Sequence, residues 1–193
     1  MVKLYYYFAF LSVFLCVRCS SIGTAIEVKE TEYPVIINYD KKNNIIYGIK
    51  IPLEVAITNN SKVSFKEFIT IDYEYTPYNK GRGIEIFKKV NSLVKIVNNK
   101  KKVISPSSTL KYVIYSRYRI DRVKEKELFK EKMNQYLEKI YEENKDTLHI
   151  GTISEFKQKH KDLFEKLTKN DSISIQLLDD GKFGKRIVVP VKW

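Results

Sequence analysis

Short runs of alternating apolar and polar residues, each closed by a polar turn, constrain this chain more than any other feature. Period-two patterning suits a half-buried strand and cannot be satisfied by a helix. Phe68–Tyr75 places Ile69, Ile71, Tyr73 and Tyr75 on one face and Thr70, Asp72 and Glu74 on the other. Thr109–Ile120 is the longest such run. Leu110, Tyr112, Ile114, Tyr118 and Ile120 point one way, and Lys111, Val113, Tyr115, Arg117 and Arg119 point the other. Further extended runs are Val28–Tyr33, Val35–Tyr39, Ile45–Ile51, Leu53–Thr58, Ser172–Leu178 and Ile187–Val191. Asp40–Asn44, Asn59–Lys62 and Asp179–Lys182 read as turns between them. Leu93–Val97 and Val103–Ile104, on either side of Asn98–Lys102, predict a hairpin. Pro190 marks the last strand as an edge.

The pattern changes between Arg122 and Lys169. Phe129, Met133, Tyr136, Leu137, Ile140 and Tyr141 recur at spacings of three and four, which is one apolar stripe on a helix. Asn144–Gly151 breaks it. Ser154 is placed to cap a second helix whose inner side is Phe156, Leu163, Phe164 and Leu167. The expected fold is mainly β: an immunoglobulin-like β-sandwich with a helical hairpin, at about residues 122–169, inserted before the last strands. The alternative is an α+β fold with helices packed on one antiparallel sheet.

Residues 1–25 form the layout of a secretory leader: Lys3, an apolar run Leu4–Val17, then small and polar residues. The run is shorter than the roughly 20 residues a membrane-crossing helix needs. Three fates fit the residues. Cleavage after Ala25 has Gly23 and Ala25 as small residues, and cleavage after Ser21 has Cys19 three positions back. In the third, Cys19 is the lipidated first residue of a lipoprotein, for which Leu15–Cys19 resembles a lipobox except at Arg18. The only cysteines are Cys16 and Cys19. A processed chain of residues 26–193, expected to be one exported β-rich domain, therefore holds no internal disulfide. It must fold on its core, which is feasible at that length.

The net charge of +12 is concentrated in one place. Lys80–Lys124 holds thirteen Lys and Arg against two acids, Glu85 and Asp121. A local positive field attracts anionic glycans, lipid headgroups or nucleic acid, and an exported setting disfavours the last. The candidate polyanion patch is Lys100, Lys101, Lys102, Lys111, Arg117 and Arg119, where cations mix with aromatics. The same residues also suit an outer sheet face protected against edge pairing.

Catalytic chemistry is thinly represented. His149 and His160 are the only histidines and have no cysteine nearby, so no metal ligand set is assigned. No nucleophile elbow, phosphate loop or dinucleotide fingerprint is present, and no cofactor is expected. Asn59-Asn60-Ser61 and Asn170-Asp171-Ser172 match the glycosylation pattern. The leading expectation is a non-catalytic exported binding or structural module of a cell envelope, secreted, periplasmic or lipid-anchored through Cys19. Its expected partners are an anionic glycan, a lipid headgroup or another envelope protein. The alternatives are a polyanion-binding protein using residues 80–124, a hydrolase with an unrecognised site, and a helix-mediated interface using the Phe129–Tyr141 stripe.

Overall fold

A computed structural model describes residues 23–120 and 126–193. Residues 1–22, which hold Cys16, Cys19 and Ser21, lie outside the described residues. The chain is mainly β, 52% strand and 18% helix, with two antiparallel sheets and three helices. The strands are β1 (Thr24–Lys29), β2 (Ile36–Asp40), β3 (Ile45–Asn59), β4 (Lys66–Glu74), β5 (Gly81–Lys89), β6 (Leu93–Ile96), β7 (Lys102–Ile104), β8 (Thr109–Arg119), β9 (Thr147–His149), β10 (Ser172–Asp179) and β11 (Lys182–Pro190). The helices are α1 (Lys126–Glu143), α2 (Ile153–Lys159) and α3 (Lys161–Thr168).

The larger sheet, sheet A, has the order β6-β5-β8-β3-β2-β9, with β1 also on β3; sheet B has the order β11-β10-β4-β7. One core joins them. Ile49, Ile51, Leu53, Val55, Ile57, Tyr112 and Ile114 enter it from sheet A, and Phe68, Ile71, Tyr73, Ile173 and Ile175 from sheet B. The β8 alternation holds as expected, with Tyr112, Ile114 and Tyr118 buried in that core. Val113 and Tyr115, on the opposite face, are also buried. Phe87 meets Tyr115 there edge-on at 5.8 Å.

Several expectations need correction. Ile45–Ile51 and Leu53–Thr58 are one strand, β3, of fifteen residues, longer than β8. On one side it pairs along its length with β8. On the other it pairs first with β2, through Lys50, and then with β1, from Glu54. Pro52 stands where the partner changes, a position that tolerates a residue with no amide to donate. The expected Leu93–Ile104 hairpin does not form: β6 pairs with β5 in sheet A and β7 with β4 in sheet B. The segment between them crosses from one sheet to the other. On β4 the core face is Phe68, Ile71 and Tyr73, because Ile69 is an extra residue opposite the Gln176–Leu177 step. Asn144–Gly151, read as a break, contains β9, which extends sheet A beyond β2.

The helices depart in detail as well. Thr152, not Ser154, caps α2, reciprocally with Glu155. His160 then interrupts the expected second helix, dividing it into α2 and α3. Phe156, Leu163, Phe164 and Leu167 are buried as expected. On α1, Met133 and Ile140 are buried, Tyr136 and Leu137 pack against the core, and Tyr141 is exposed. Among the described residues of the stripe, Met133, Tyr136, Leu137 and Ile140 are thus turned to the core; the side chain of Phe129 lies outside the described residues.

Ala25 lies within β1. The strand's six rungs on β3 run from Thr24 opposite Asn59 to Lys29 opposite Glu54. Cleavage after Ala25 removes two of those rungs, whereas processing at Cys19 or after Ser21 leaves all six.

Candidate functional site

The densest polar arrangement in the interior sits where the two sheets meet, beside the start of β10. Asp171 is 1% exposed. Its Oδ1 accepts the Thr76 amide at 2.8 Å and lies 2.9 Å from the Lys80 ammonium; its Oδ2 accepts the Tyr118 hydroxyl at 2.8 Å. The Tyr118 hydroxyl also lies 2.7 Å from that of Tyr73. Lys80 sits over the Tyr118 ring, 5.9 Å from its centre. Tyr75 packs edge-on against the same ring, donates to the Gly83 carbonyl and accepts the Arg117 amide, both at 2.7 Å.

Local sequence sets this geometry. Alternation carries Tyr73 and Tyr75 inward from β4 and Tyr118 inward from β8. A 3₁₀ turn over Tyr78–Lys80 follows the cis Thr76–Pro77 bond and turns Lys80 back over Asp171. Gly81 is required by close approach: a Cβ there would lie 2.0 Å from the Tyr75 ring. Burial holds the hydroxyls of Tyr73, Tyr75 and Tyr118 protonated well above the usual tyrosine range.

This set combines a carboxylate, an ammonium and phenols, the residue types of acid–base chemistry. Three surface grooves of the molecule are lined by other residues. The arrangement joins β4, β8, the Tyr78–Lys80 turn and the start of β10. Sequence reading missed it, although the signal was present. Tyrosines at inward positions of two strands must each find a hydrogen-bond partner. In the sequence, Asp171 stands only as the middle of a glycosylation pattern.

The six candidate polyanion residues divide between the two sheets. Lys111, Arg117 and Arg119 lie on β8 in sheet A; Lys100, Lys101 and Lys102 lie at or just before β7 in sheet B. Lys102 is turned inward. Its ammonium donates to the carbonyls of Ile69, Asn98 and Lys100 at 2.8, 2.5 and 2.7 Å, and desolvation lowers its pKa. Lys101 pairs with Glu67 at 3.0 Å and Lys111 with Glu54 at 3.4 Å. The Arg117 guanidinium donates to the Arg82 carbonyl. Lys100 and Arg119 remain exposed. Also on the outer face of sheet A, Glu85 lies between Lys50 and Lys95, at 2.9 and 3.0 Å. Burial alone would raise the Glu85 pKa, but the two ammonium groups outweigh it and hold the carboxyl below its usual range.

The grooves are shallow and mixed in charge. One of about 760 Å³ lies over the outer face of sheet A and is lined by Lys29, Glu30, Tyr33, Glu54, Lys89 and Lys111. A second, of about 660 Å³, includes Tyr39, Asp146 and Arg82, the last stacked 5.4 Å above Tyr47. A third, of about 630 Å³, lies beside Phe164 and Trp193.

The histidines are not brought together. His149 is exposed on β9, while His160 is buried between α2 and α3. His160 Nε2 lies 2.9 Å from the Tyr136 hydroxyl, and the ring packs against Phe156. Among the described residues no group of three or more His, Cys, Asp or Glu is placed to hold a metal ion. No described helix is long and apolar enough to cross a membrane. Asn59 is fully buried; its amide donates to the carbonyls of Ser64, Ile104 and Ser105, so in the folded chain it is closed to glycosylation. No protein-family model, curated protein or solved structure matches the chain.

Proposed function

We propose that this chain is a non-catalytic binding or structural module, exported to a cell envelope, in which a two-sheet β-sandwich holds recognition surfaces rigidly. The observation that carries the reading is the Asp171 joint. The strongest polar groups of the interior are used to fasten one sheet to the other, so ligand contact falls to the outer faces and turns. Export rests on the Lys3–Val17 leader pattern and on a fold that closes its core with neither cysteine. The polyanion reading is supported in a narrower form, because Lys101, Lys102, Lys111 and Arg117 already have partners in the protein.

The test is a panel of anionic and neutral glycans, anionic and neutral vesicles, and peptide, ester and glycoside substrates, all with the purified protein. Saturable binding without turnover is expected. Turnover of any substrate at an enzymatic rate would overturn the proposal. For export, the mass and first residue of the native protein are expected to show processing at Cys19 or after Ser21. An intact Met1 would remove the envelope assignment.

A further inference from the structure

The outer face of sheet B carries exposed apolar residues at one end, in a row that Glu67 interrupts. Register places Val103 of β7, Glu67 of β4, Leu178 of β10 and Phe183 of β11 directly opposite one another in sequence across all four strands. Directly paired residues of an antiparallel sheet share a face. Val103 is 46% exposed and Phe183 77%. Phe65 (62%) and Val63 (87%) precede β4 at the same end. Leu178, between Glu67 and Phe183 in this row, is 9% exposed. Isolated exposed apolar residues need no explanation; several gathered at one end of a sheet do.

Charge identifies the occupant. Exposed Lys62, Lys100, Lys101, Lys182 and Lys185 flank the row in sequence and register. The acids there are Glu67, already paired with Lys101, and Asp179 and Asp180 in the β10–β11 turn. Val63, Phe65 and Phe183 project from a loop and from a strand's first turn, and no groove among those described surrounds them. Projecting apolar side chains ringed by lysines match a surface whose boundary is anionic and whose interior is hydrocarbon.

We propose that this end of sheet B docks on an anionic lipid bilayer, inserting Phe65 and Phe183 between headgroups while the lysines meet the phosphates. The proposal rests on the binding-module reading above and names its partner.

The test is flotation of the full chain with phosphatidylcholine vesicles, with and without phosphatidylserine. The Leu4–Val17 run, flanked by Lys3 and Arg18, is the same in all variants, so the readout is the difference between variants at each composition. Binding is expected to require phosphatidylserine and to weaken with salt. F65S and F183S should each lower it about tenfold, from the apolar area no longer transferred, and K62E/K182E should lower it further. Tyr78 is 85% exposed at the opposite end of β4, so Y78S should leave binding unchanged. Matching circular dichroism melts establish that the variants fold. Four results overturn the proposal. One is an equal affinity for both lipids, and another is F65S/F183S binding like the native chain. The third is loss of a dimer in F65S/F183S on size-exclusion chromatography without any vesicle binding, which assigns the face to a second copy. Glycan binding without vesicle binding would sink this inference and leave the module reading intact.

Discussion

Lys80–Asp171 and Lys111–Glu54 are the same chemical pair in two settings. The first is 2.9 Å apart at the meeting of the sheets, with the Asp171 side chain fully enclosed. The second is 3.4 Å apart on the outer face of sheet A, with 65% of the lysine side chain exposed. Water and salt compete for the outer pair and leave it little net worth. The inner pair has surrendered its hydration, so each partner depends on the other and on the Thr76 amide and Tyr118 hydroxyl. A lysine-rich sequence thus uses one residue type for two purposes, and burial decides which.

The largest break in that comparison is D171N. It leaves the Lys80 ammonium, with 12% of its side chain exposed, without its counter-charge and should cost about 3 kcal/mol of unfolding free energy, read by urea denaturation. A loss near that of a surface pair would mean that the joint is open to water. Alkali tests the same region. In the fold, burial keeps Tyr73, Tyr75 and Tyr118 protonated and lifts Tyr115 to about 12. The unfolded chain releases those protons near its ordinary value of about 10. A raised folded pKa means stability is fully present below that value and falls as pH rises beyond it. Melting temperature should therefore drop above about pH 10, with the part of the tyrosinate absorbance that belongs to the enclosed Tyr73, Tyr75 and Tyr118 appearing only together with unfolding.

An intermediate case is Lys102, a half-buried ammonium that ties the Ile69 carbonyl of β4 to the Asn98 and Lys100 carbonyls of the crossing segment. K102M should cost about 1–3 kcal/mol, since those acceptors lose a charged donor. Amide exchange near Ile69 and Ile71 should rise, because Asn98 also bonds both backbone groups of Ile71 there. An unchanged exchange rate would show that Asn98 alone seals that edge. The smallest effect belongs to K111A, about 0.5 kcal/mol or less, and diminishing in high salt. If K111A matched K102M, exposure would not be what separates these lysines.

Much of the fold was legible because alternation is local. Leu110–Ile120 and Ile173–Leu177 declare their inner faces residue by residue. Asp179–Lys182 declares its turn, and positive φ at Asp180 and Gly181 bears it out. The errors arose where a distant partner overrides the local pattern. Pro52 reads as a strand break but is tolerated because β2 gives way to β1 at that point. Leu93–Ile104 reads as a hairpin, yet its two arms find different sheets. Ile69 fits the alternation perfectly on paper and is displaced because β10 has one residue fewer on its side. Site residues were harder still. The run of cations from Lys80 to Lys124 is conspicuous in sequence, but Lys80 and Lys102 turn inward, while the neighbouring Lys100 stays in solvent.

By itself, then, the sequence determined the strand-rich character, the inner faces of most strands, the position of the helical segment and a core that needs no disulfide. These depend on periodicity and composition, which neighbours in the chain supply. Only the tertiary structure decided which lysines are spent and which are available. It also decided that Asp171 fastens two sheets, and that Val103, Leu178 and Phe183 stand in one row. Those are facts of pairing between residues up to 111 apart, as Glu67 and Leu178 are, and the energy of a charge or an apolar side chain depends on what that pairing covers.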